Sequence, residues 1–364
     1  MTSPHVTIIG AGIVGMTVAY FLARAGVSVR LMDREETPGR GVTDRSFGWI
    51  NYITRDPADD PAAHRYCRAA FDRYHALNTD FDGRLFSPAT SSLLWTDDAR
   101  QTLDLVHRHQ QHGAAPRALN RAEFAKLAPF VINPPDYAAY CAHDFALHPR
   151  NVMAHYCQAL KRLGAEMMFG RNVEQIVVQH NRASAVVIDG AALATDRVIV
   201  ASATGSIPLL APFGDQHGII ASPAVLITLE AEIPGFHGIL CGPELEIRQL
   251  EKNRFIIAED MPKNPTKTAL QDLADQTLAS VCRVFRGGKN PRILSVQIGD
   301  RPDSIDGKAR IGRVKHIENL FLAIAHPGFI LAPVMAQYLT DQVLGREDSY
   351  EIPTGIIDIQ AYAV

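Results

Sequence analysis

The sequence VTIIGAGIVG, at residues 6–15, decides the fold. Its first four residues are mostly β-branched and predict a strand, and its three glycines have the spacing G-x-G-x-x-G. Residues 13–25 have the apolar spacing of a helix, and a second short apolar run follows at residues 28–32 and ends at Asp33. Strand, glycine turn, helix and strand in this order predict a βαβ unit.

Each glycine of this turn has a separate role in the prediction. Gly10 permits the sharp turn, Gly12 lets backbone N–H groups approach a pyrophosphate at the helix N-terminus, and Gly15 lets helix and strand pack closely. Asp33 stands where a carboxylate accepts the hydroxyls of a ribose and repels a 2′-phosphate. The turn therefore predicts a site for FAD or NAD in preference to NADP, and it does not distinguish a flavin from a nicotinamide.

Composition and charge limit the classes of function. The chain has 364 residues, 47% of them hydrophobic and 21% charged, which favours about two globular domains and excludes fibrous or disordered classes. Its net charge of −3 gives no indication of nucleic acid or of an anionic membrane as a partner. A small molecule is the expected partner.

The cysteines and the N-terminus indicate the compartment. Five widely separated cysteines with no C-x-x-C pair argue against a disulfide framework and against a metal cage. The apolar run near the N-terminus contains three glycines and lacks a basic flank, so neither a signal peptide nor a membrane span is expected. The sequence predicts a cytoplasmic protein.

Several segments resemble one family along the whole chain. Residues 39–51, GRGVTDRSFGWIN, resemble the second cofactor segment of the D-amino-acid oxidase-like flavoproteins. This family includes glycine and sarcosine oxidases and the flavin subunits of opine and hydroxyproline dehydrogenases. Similar matches occur at residues 172–176, 195–205, 299–312 and 319–333. The second and third of these look like the strand that returns to the pyrophosphate and the G-x-R-P signature.

The resemblance implies an α/β fold with interleaved domains. A Rossmann-like FAD-binding domain is expected from residues 1–56, 145–213 and 297–364. An α+β substrate domain built on a mixed antiparallel sheet is expected from residues 57–144 and 214–296. Within the insertions, the polar and apolar spacing predicts helices at 59–82, 97–112, 120–129 and 266–285, and strands at 224–229 and 254–258, with strand-like material around Leu85 and at 93–95.

The resemblance also implies a set of cofactor-binding residues. Sarcosine oxidases attach their flavin to a cysteine near the last loop, and this chain has none beyond Cys282, so non-covalent FAD is expected. The backbone N–H groups at the start of the last helix are expected to stabilise the reduced flavin. The expected cofactor-binding residues are Gly10, Gly12, Ile13, Val14, Gly15, Asp33, Arg34, Arg40, Gly41, Thr43, Ser46, Phe47, Gly48, Val173, Ala203, Thr204, Gly205, Arg301, Gly328, Phe329, Ile330 and Leu331.

Two arginines and a histidine are candidates for the chemistry. Arg301, in the G-x-R-P position, offers two parallel donors that match a substrate carboxylate, although an ion pair between elements explains it as well. Arg248, on an expected strand of the substrate domain, is the alternative anchor. His326 ends a strand and opens the flavin loop, where an imidazole either contacts the flavin and the substrate or is simply satisfied by backbone.

Other side chains carry weaker expectations. The end of the segment 39–51 and the residue after it are expected to line the approach to the flavin ring with Trp49, Asn51 and Tyr52. Packing of these side chains in the core is the alternative. Most other histidines, such as those at 107, 109 and 112, fall in expected surface helices without ligand spacing, so no metal site is expected. Lys252 and Lys263 are candidates for the positive charge that helps reduced flavin react with dioxygen in this family.

The sequence supports three functional interpretations. The first is an FAD-dependent oxidoreductase that oxidises the C–N bond of an amino acid, opine or related secondary amine by hydride transfer to flavin N5 and so gives an imine. The second is a flavin-bearing assembly or electron-relay subunit with hetero-oligomeric partner subunits. The third, supported by the first βαβ unit alone, is an NAD-dependent dehydrogenase.

Overall fold

The computed structural model describes residues 5–214, 218–287, 289–346 and 356–358. The strands are β1 His5–Ile9, β2 Ser28–Asp33, β3 Trp49–Ile50, β4 Phe86–Leu94, β5 Arg117–Asn120, β6 Tyr137–Leu147, β7 Glu166–Phe169, β8 Val173–Gln179, β9 Arg182–Ile188, β10 Ala191–Ala194, β11 Arg197–Val200, β12 Ile219–Glu232, β13 Ile239–Cys241, β14 Glu246–Glu251, β15 Arg254–Asp260, β16 Lys289–Ser304, β17 Ala309–Arg313, β18 Leu320–Ile324 and β19 Ile356–Asp358. The α-helices are α1 Ile13–Arg24, α2 Pro61–Asp80, α3 Ala99–Gln111, α4 Arg121–Leu127, α5 Pro149–Arg162, α6 Ser206–Leu210, α7 Lys267–Val284 and α8 Gly328–Leu344.

The N-terminal βαβ unit forms the centre of a seven-stranded sheet. Its strand order is β19-β17-β18-β11-β1-β2-β7, and every neighbouring pair is parallel except β17 with β18. The β-branched side chains of Val6 and Ile8 are fully buried in the core between this sheet and the helices α1, α5 and α8. A small antiparallel sheet, β10-β9-β8, lies beside it. The predicted βαβ unit and Rossmann-like sheet are confirmed.

A second sheet has nine strands and a mixed, mainly antiparallel pattern. Its order is β16-β12-β15-β14-β13-β4-β6-β3, with β5 paired to β6, and its parallel pair is β13 with β4. The side chains of Val225, Ile247 and Ile257 are buried on the face that packs against α7. The predicted mixed sheet is confirmed.

Both kinds of sheet draw on separated parts of the chain. The strand β6 continues across the predicted boundary at 144/145, and β16 continues across the one at 296/297. The division into two interleaved domains at those boundaries stays a prediction.

The helices of the insertions begin at polar capping residues. Asp60 accepts a hydrogen bond from the backbone of Ala63, at 2.9 Å, and begins α2. Asn120 and Glu123 form a reciprocal capping box at the start of α4. The side chains of Asp98 and Thr266 cap α3 and α7 by accepting a backbone hydrogen bond from Arg100 and Ala269. These helices lie within the ranges predicted from the sequence.

The glycine turn after β1 has no room for side chains. Gly10 has φ of +107°, and a Cβ on it would lie 2.5 Å from the carbonyl oxygen of Ala201 at the end of β11. A Cβ on Gly15 would lie 1.9 Å from the carbonyl oxygen of Gly10. The roles predicted for these two glycines, sharp turn and close packing, agree with this geometry.

We expect Gly15→Ala to reduce the stability of the protein. The added methyl group forces α1 away from β1, and overpacking of this kind costs about 1–3 kcal/mol or more. Thermal unfolding without added cofactor measures the effect. Gly41→Ala is the matched control, because a Cβ there meets no atom within 4 Å and the backbone φ is −74°. Equal melting temperatures for the two variants would contradict the packing argument.

Candidate active site

A groove between the two large sheets is the candidate active site. It consists of two adjoining cavities of about 370 and 360 Å³ that share the wall residues Gly12, Val42, Thr43, Ala201 and Ala203. The first cavity is lined by the end of β2 and the start of β8, and we call it the nucleotide cavity. The second is lined by β12, β14, β15 and β16 of the nine-stranded sheet, and we call it the interface cavity. The groove thus runs from the glycine turn to the second sheet.

The side chain of Thr43 contacts the N-terminus of α1. The Thr43 hydroxyl accepts a hydrogen bond from the backbone N–H of Ile13 at 3.0 Å. A Cβ on Gly12 would lie 3.1 Å from that hydroxyl. Gly39 donates its N–H to the carbonyl of Ala11 at 2.9 Å, so the segment after β2 is tied to the glycine turn. Backbone N–H groups at a helix N-terminus beside a groove form a site for an anion such as pyrophosphate.

Asp33 ends β2 and lines the nucleotide cavity. Its carboxylate accepts backbone hydrogen bonds from Ala11, at 2.6 Å, and from Glu35, at 2.9 Å. Burial raises the pKa of this carboxyl, and these two hydrogen bonds oppose the shift. The carboxylate therefore joins the glycine turn to the end of β2 at the edge of the groove.

A buried arginine binds the segment that contains Phe47. Arg248 on β14 has no exposed surface, and its guanidinium donates to the backbone carbonyls of Phe47 and, at 3.3 Å, of Leu147. The guanidinium also lies 5.6 Å from the centre of the Phe47 ring. Burial lowers the pKa of Arg248 to about 9. Arg248 does not line either cavity, and its contacts position the segment that does.

Arg301 lines the interface cavity from β16. Its guanidinium donates to the carbonyl oxygen of Ser222 at 2.9 Å and to the hydroxyl of Ser222 at 3.1 Å. These partners are neutral, so the positive charge of the half-buried guanidinium is not compensated by them. An oriented guanidinium in a cavity is suited to bind a carboxylate.

His326 faces the same cavity from the end of β18. Burial lowers its pKa to about 4, and the positive charges of Arg301 and Arg55 act in the same direction. At neutral pH the imidazole is therefore uncharged and can accept a hydrogen bond at one ring nitrogen.

A buried carboxyl group positions Trp49. The indole N–H of Trp49 donates to Asp144 at 2.9 Å, and the hydroxyl of Ser92 donates to the same oxygen at 2.7 Å. Burial raises the pKa of Asp144 to about 7. Trp49 itself lines the interface cavity, as does Asn51.

Most residues predicted from the sequence come together along the groove. Gly15, Arg40, Thr204, Leu331, Arg248 and Tyr52 do not line either cavity. Instead, Gly15 serves packing, and the Tyr52 ring packs against Phe71 and His64 behind the cavity wall. The predicted residues that line the groove are Gly10, Gly12, Ile13, Val14, Asp33, Arg34, Gly41, Thr43, Ser46, Phe47, Gly48, Val173, Ala203, Gly205, Arg301, His326, Gly328, Phe329 and Ile330.

Three charged residues that line the interface cavity were not predicted from the sequence: Arg45, Arg55 and Glu246. Alternation along β14 was the available signal for Glu246, because it lies two residues before Arg248 and on the same face of the strand. The candidate cations Lys252 and Lys263 are exposed and do not line the cavity.

The expected surface position of His109 is wrong. Its ring is fully buried and lies 5.0 Å from that of His64, which is also buried. The contacts with Tyr52 explain why α3 turns this residue inward. Within the described residues, no group of three or more His, Cys, Asp or Glu side chains could hold a metal ion.

The groove fits an extended dinucleotide better than a small nucleotide. Its nucleotide cavity has Gly10 and Gly12 before a helix N-terminus and a carboxylate at the strand end, and its interface cavity continues to a second set of charged side chains. Fold and groove together define the class of a dinucleotide-binding protein.

Comparison with known proteins agrees with this class. Residues 5–342 match the family described as FAD dependent oxidoreductase, the D-amino-acid oxidase-like family. The chain therefore belongs to this family and is an FAD-dependent oxidoreductase, which selects FAD over the nicotinamide alternative. The sequence-based resemblance is confirmed.

Individual relatives are distant but span the chain. The uncharacterized oxidoreductase YurR of Bacillus subtilis (strain 168) is 21% identical over 363 residues, or 95% of this chain and 96% of that protein. Iminodiacetate oxidase from Chelativorans sp. BNC1 has a TM-score of 0.82 at 21% identity, covering 97% of this chain and 99% of its own. Glycine oxidase from Bacillus cereus ATCC 14579 has a TM-score of 0.81 at 16% identity, covering 96% and 99%. L-proline dehydrogenase from P. horikoshii has a TM-score of 0.83 at 17% identity, covering 96% and 95%.

None of the helices among the described residues combines the length and the apolar character that a membrane crossing requires.

We expect Asp33→Asn to weaken FAD binding about 10- to 100-fold. In the variant an N–H₂ group replaces one carboxylate oxygen, so either the Ala11 or the Glu35 backbone N–H loses its acceptor. The glycine turn beside the nucleotide cavity is then held less firmly for FAD, and a hydrogen bond to a charged group is worth about 1.5–3 kcal/mol. Titration of the apoprotein with FAD, followed by flavin fluorescence, measures the dissociation constant. Glu36→Gln is the control, because Glu36 is exposed and lies outside both cavities. A similar loss in both variants would show that Asp33 has no specific role.

We expect His326→Gln to make the protein less sensitive to acid. The pKa of His326 in the folded protein, about 4, lies below the ordinary value of 6.5, so the unfolded chain binds a proton first. The associated stability is complete above about pH 6.5 and is lost as the pH falls toward about 4. Melting temperatures across this range measure the difference. His107→Gln, at an exposed position of α3, should retain the wild-type slope, and an unchanged slope in His326→Gln would refute the assignment.

Proposed function

We propose that this protein oxidises the C–N bond of an amino acid, opine or related secondary amine that carries a carboxylate. The observation that carries the proposal is the shared position of Arg301 and His326 in the interface cavity. Bound FAD supplies the acceptor for the hydride removed from the substrate carbon. The nitrogen loses its proton, the C=N bond forms, and water hydrolyses the resulting imine.

Each protein group has a defined task in this reaction. Arg301, held by Ser222, binds and orients the carboxylate. The neutral imidazole of His326 accepts a hydrogen bond from the substrate ammonium, whose proton passes to water, because the carbon next to the nitrogen can release a hydride only when the nitrogen lone pair is free. Trp49, fixed by Asp144, forms part of the wall that excludes water.

The first turn of α8 is the proposed partner of the flavin. Gly328, Phe329 and Ile330 line the interface cavity. The buried hydroxyl of Tyr74 on α2 donates to the carbonyl of Phe329 at 2.5 Å and so fixes this turn. The N-terminus of this helix stabilises negative charge, as reduced flavin requires.

The names of the structural neighbours support the same class of substrate. They are called glycine oxidase, L-proline dehydrogenase and iminodiacetate oxidase, and each name refers to a compound with a carboxylate and an amine nitrogen. A cytoplasmic location and the presence of partner subunits stay predictions. Copurification of partner subunits would favour the alternative that this protein is a flavin-bearing assembly or electron-relay subunit.

The proposal is tested by reduction of the flavin under anaerobic conditions. Amino acids, N-methyl amino acids and opines are mixed with the holoprotein, and loss of the oxidised flavin absorbance is followed. Reduction by at least one carboxylate-bearing amine is the expected result. Failure of the whole panel would overturn the proposed function.

We expect Arg301→Ala to weaken carboxylate substrates by about 2–4 kcal/mol, or about 30- to 1000-fold in apparent affinity. The rate of flavin reduction as a function of substrate concentration measures the change. Arg292→Ala is the control on the same strand, because Arg292 is exposed and pairs with Glu230. If Arg301→Ala weakens amines without a carboxylate equally, the anchoring role is refuted.

A further inference from the structure

Glu246 is an acidic side chain that no described residue pairs with. It lies on β14 and lines the interface cavity together with Leu226 and Ala258. No hydrogen bond or ion pair to its carboxyl occurs among the described residues, and the guanidinium of Arg248 turns instead toward backbone carbonyls. A largely buried carboxylate without a partner in a cavity lacks the contacts that usually offset its desolvation.

A neighbouring carboxyl group further disfavours a negative charge on Glu246. Burial and, in addition, the charge of Glu259 on β15 raise the pKa of Glu246 to about 7. Glu259 itself accepts a hydrogen bond from Thr277 at 3.0 Å and does not line the cavity. The local field at Glu246 therefore favours a cation.

Strand pairing places Glu246 and Arg301 far apart on the same sheet. Glu246 pairs with Ala258, which pairs with Leu226, whereas Arg301 pairs with Ser222. Four residues separate Leu226 from Ser222, which is about 13 Å along a strand, and three strand spacings from β14 to β16 add about 14 Å across the sheet. The cavity thus has an anion site at one end and an acidic side chain toward the other.

We propose that Glu246 is a specificity-determining residue that binds a second, positively charged nitrogen on an elongated substrate. The carboxylate end of that substrate lies at Arg301, and its far end carries an ammonium or guanidinium group. This inference rests on the proposed function, because it uses Arg301 as the partner of the substrate carboxylate. It gives a role to an acidic residue in a cavity whose other charged side chains, Arg45, Arg55 and Arg301, are basic.

Binding of ligands that cannot be oxidised tests Glu246 separately from catalysis. Linear alkanoates from butanoate to octanoate are compared with their ω-amino derivatives, which lack the α-amine. Perturbation of the flavin absorbance of the holoprotein gives each dissociation constant. At one of the longer lengths, the wild type should prefer the amino derivative at least about tenfold. No preference at any length would overturn the inference.

Variants assign the preference to this carboxyl. Glu246→Gln should reduce the preference to less than about twofold while alkanoate binding is retained, and Glu246→Asp should keep a preference at a greater ligand length. Glu251→Gln, which changes an exposed carboxyl at the other end of β14 that pairs with Arg254 and lies outside the cavity, should keep the wild-type preference. Melting temperature and FAD content identify a variant that fails to fold. An unchanged preference in Glu246→Gln would also overturn the inference.

The two proposals fail in different ways. If amines reduce the flavin but the wild type shows no preference for ω-amino ligands, the proposed function stands and the role of Glu246 is wrong. If the preference is present but no amine reduces the flavin, Glu246 is a cation site and the proposed oxidation is wrong.

Discussion

The absence of side chains between β1, α1 and β11 is the constraint on which the rest of the structure depends. The carbonyl oxygens of Gly10 and Ala201 occupy the space where Cβ atoms on Gly15 and Gly10 would lie. Helix α1 therefore begins directly at the sheet, with its N-terminal backbone facing the groove. Asp33 and Thr43 then bind to this turn through hydrogen bonds to Ala11 and Ile13, so the nucleotide cavity is built around backbone positions.

The second sheet adds charged side chains to the wall of this groove. Its strands bring Arg301, Glu246 and Ala258 to the cavity wall, and the buried guanidinium of Arg248 ties the same sheet to the segment that contains Phe47. Burial shifts the pKa values of acids and bases in opposite directions here. It raises the pKa of Glu246 and lowers that of His326, so both side chains tend toward the neutral form.

Local patterns in the sequence identified the parts of the fold that depend on backbone geometry and helix capping. The glycine turn, the helices that begin at Asp60 and Asn120, and the strands 224–229 and 254–258 were all recognisable, because steric limits and capping act between near neighbours in the chain. The family resemblance extended this to Arg301 and His326, which the structure places in one cavity. The division into domains stays a prediction, and β6 and β16 continue through the positions where it separates the insertions from the cofactor segments.

The sequence by itself determined the dinucleotide turn, because a G-x-G-x-x-G between a strand and a helix is a local steric solution. Only the tertiary structure decided which charged residues line the interface cavity. Glu246 and Arg248 lie two residues apart on one face of β14, yet one lines the cavity and the other binds backbone carbonyls behind it. Likewise His109 is buried through contacts with residues more than forty positions away. Burial and partners of this kind depend on long-range packing, which no local pattern records.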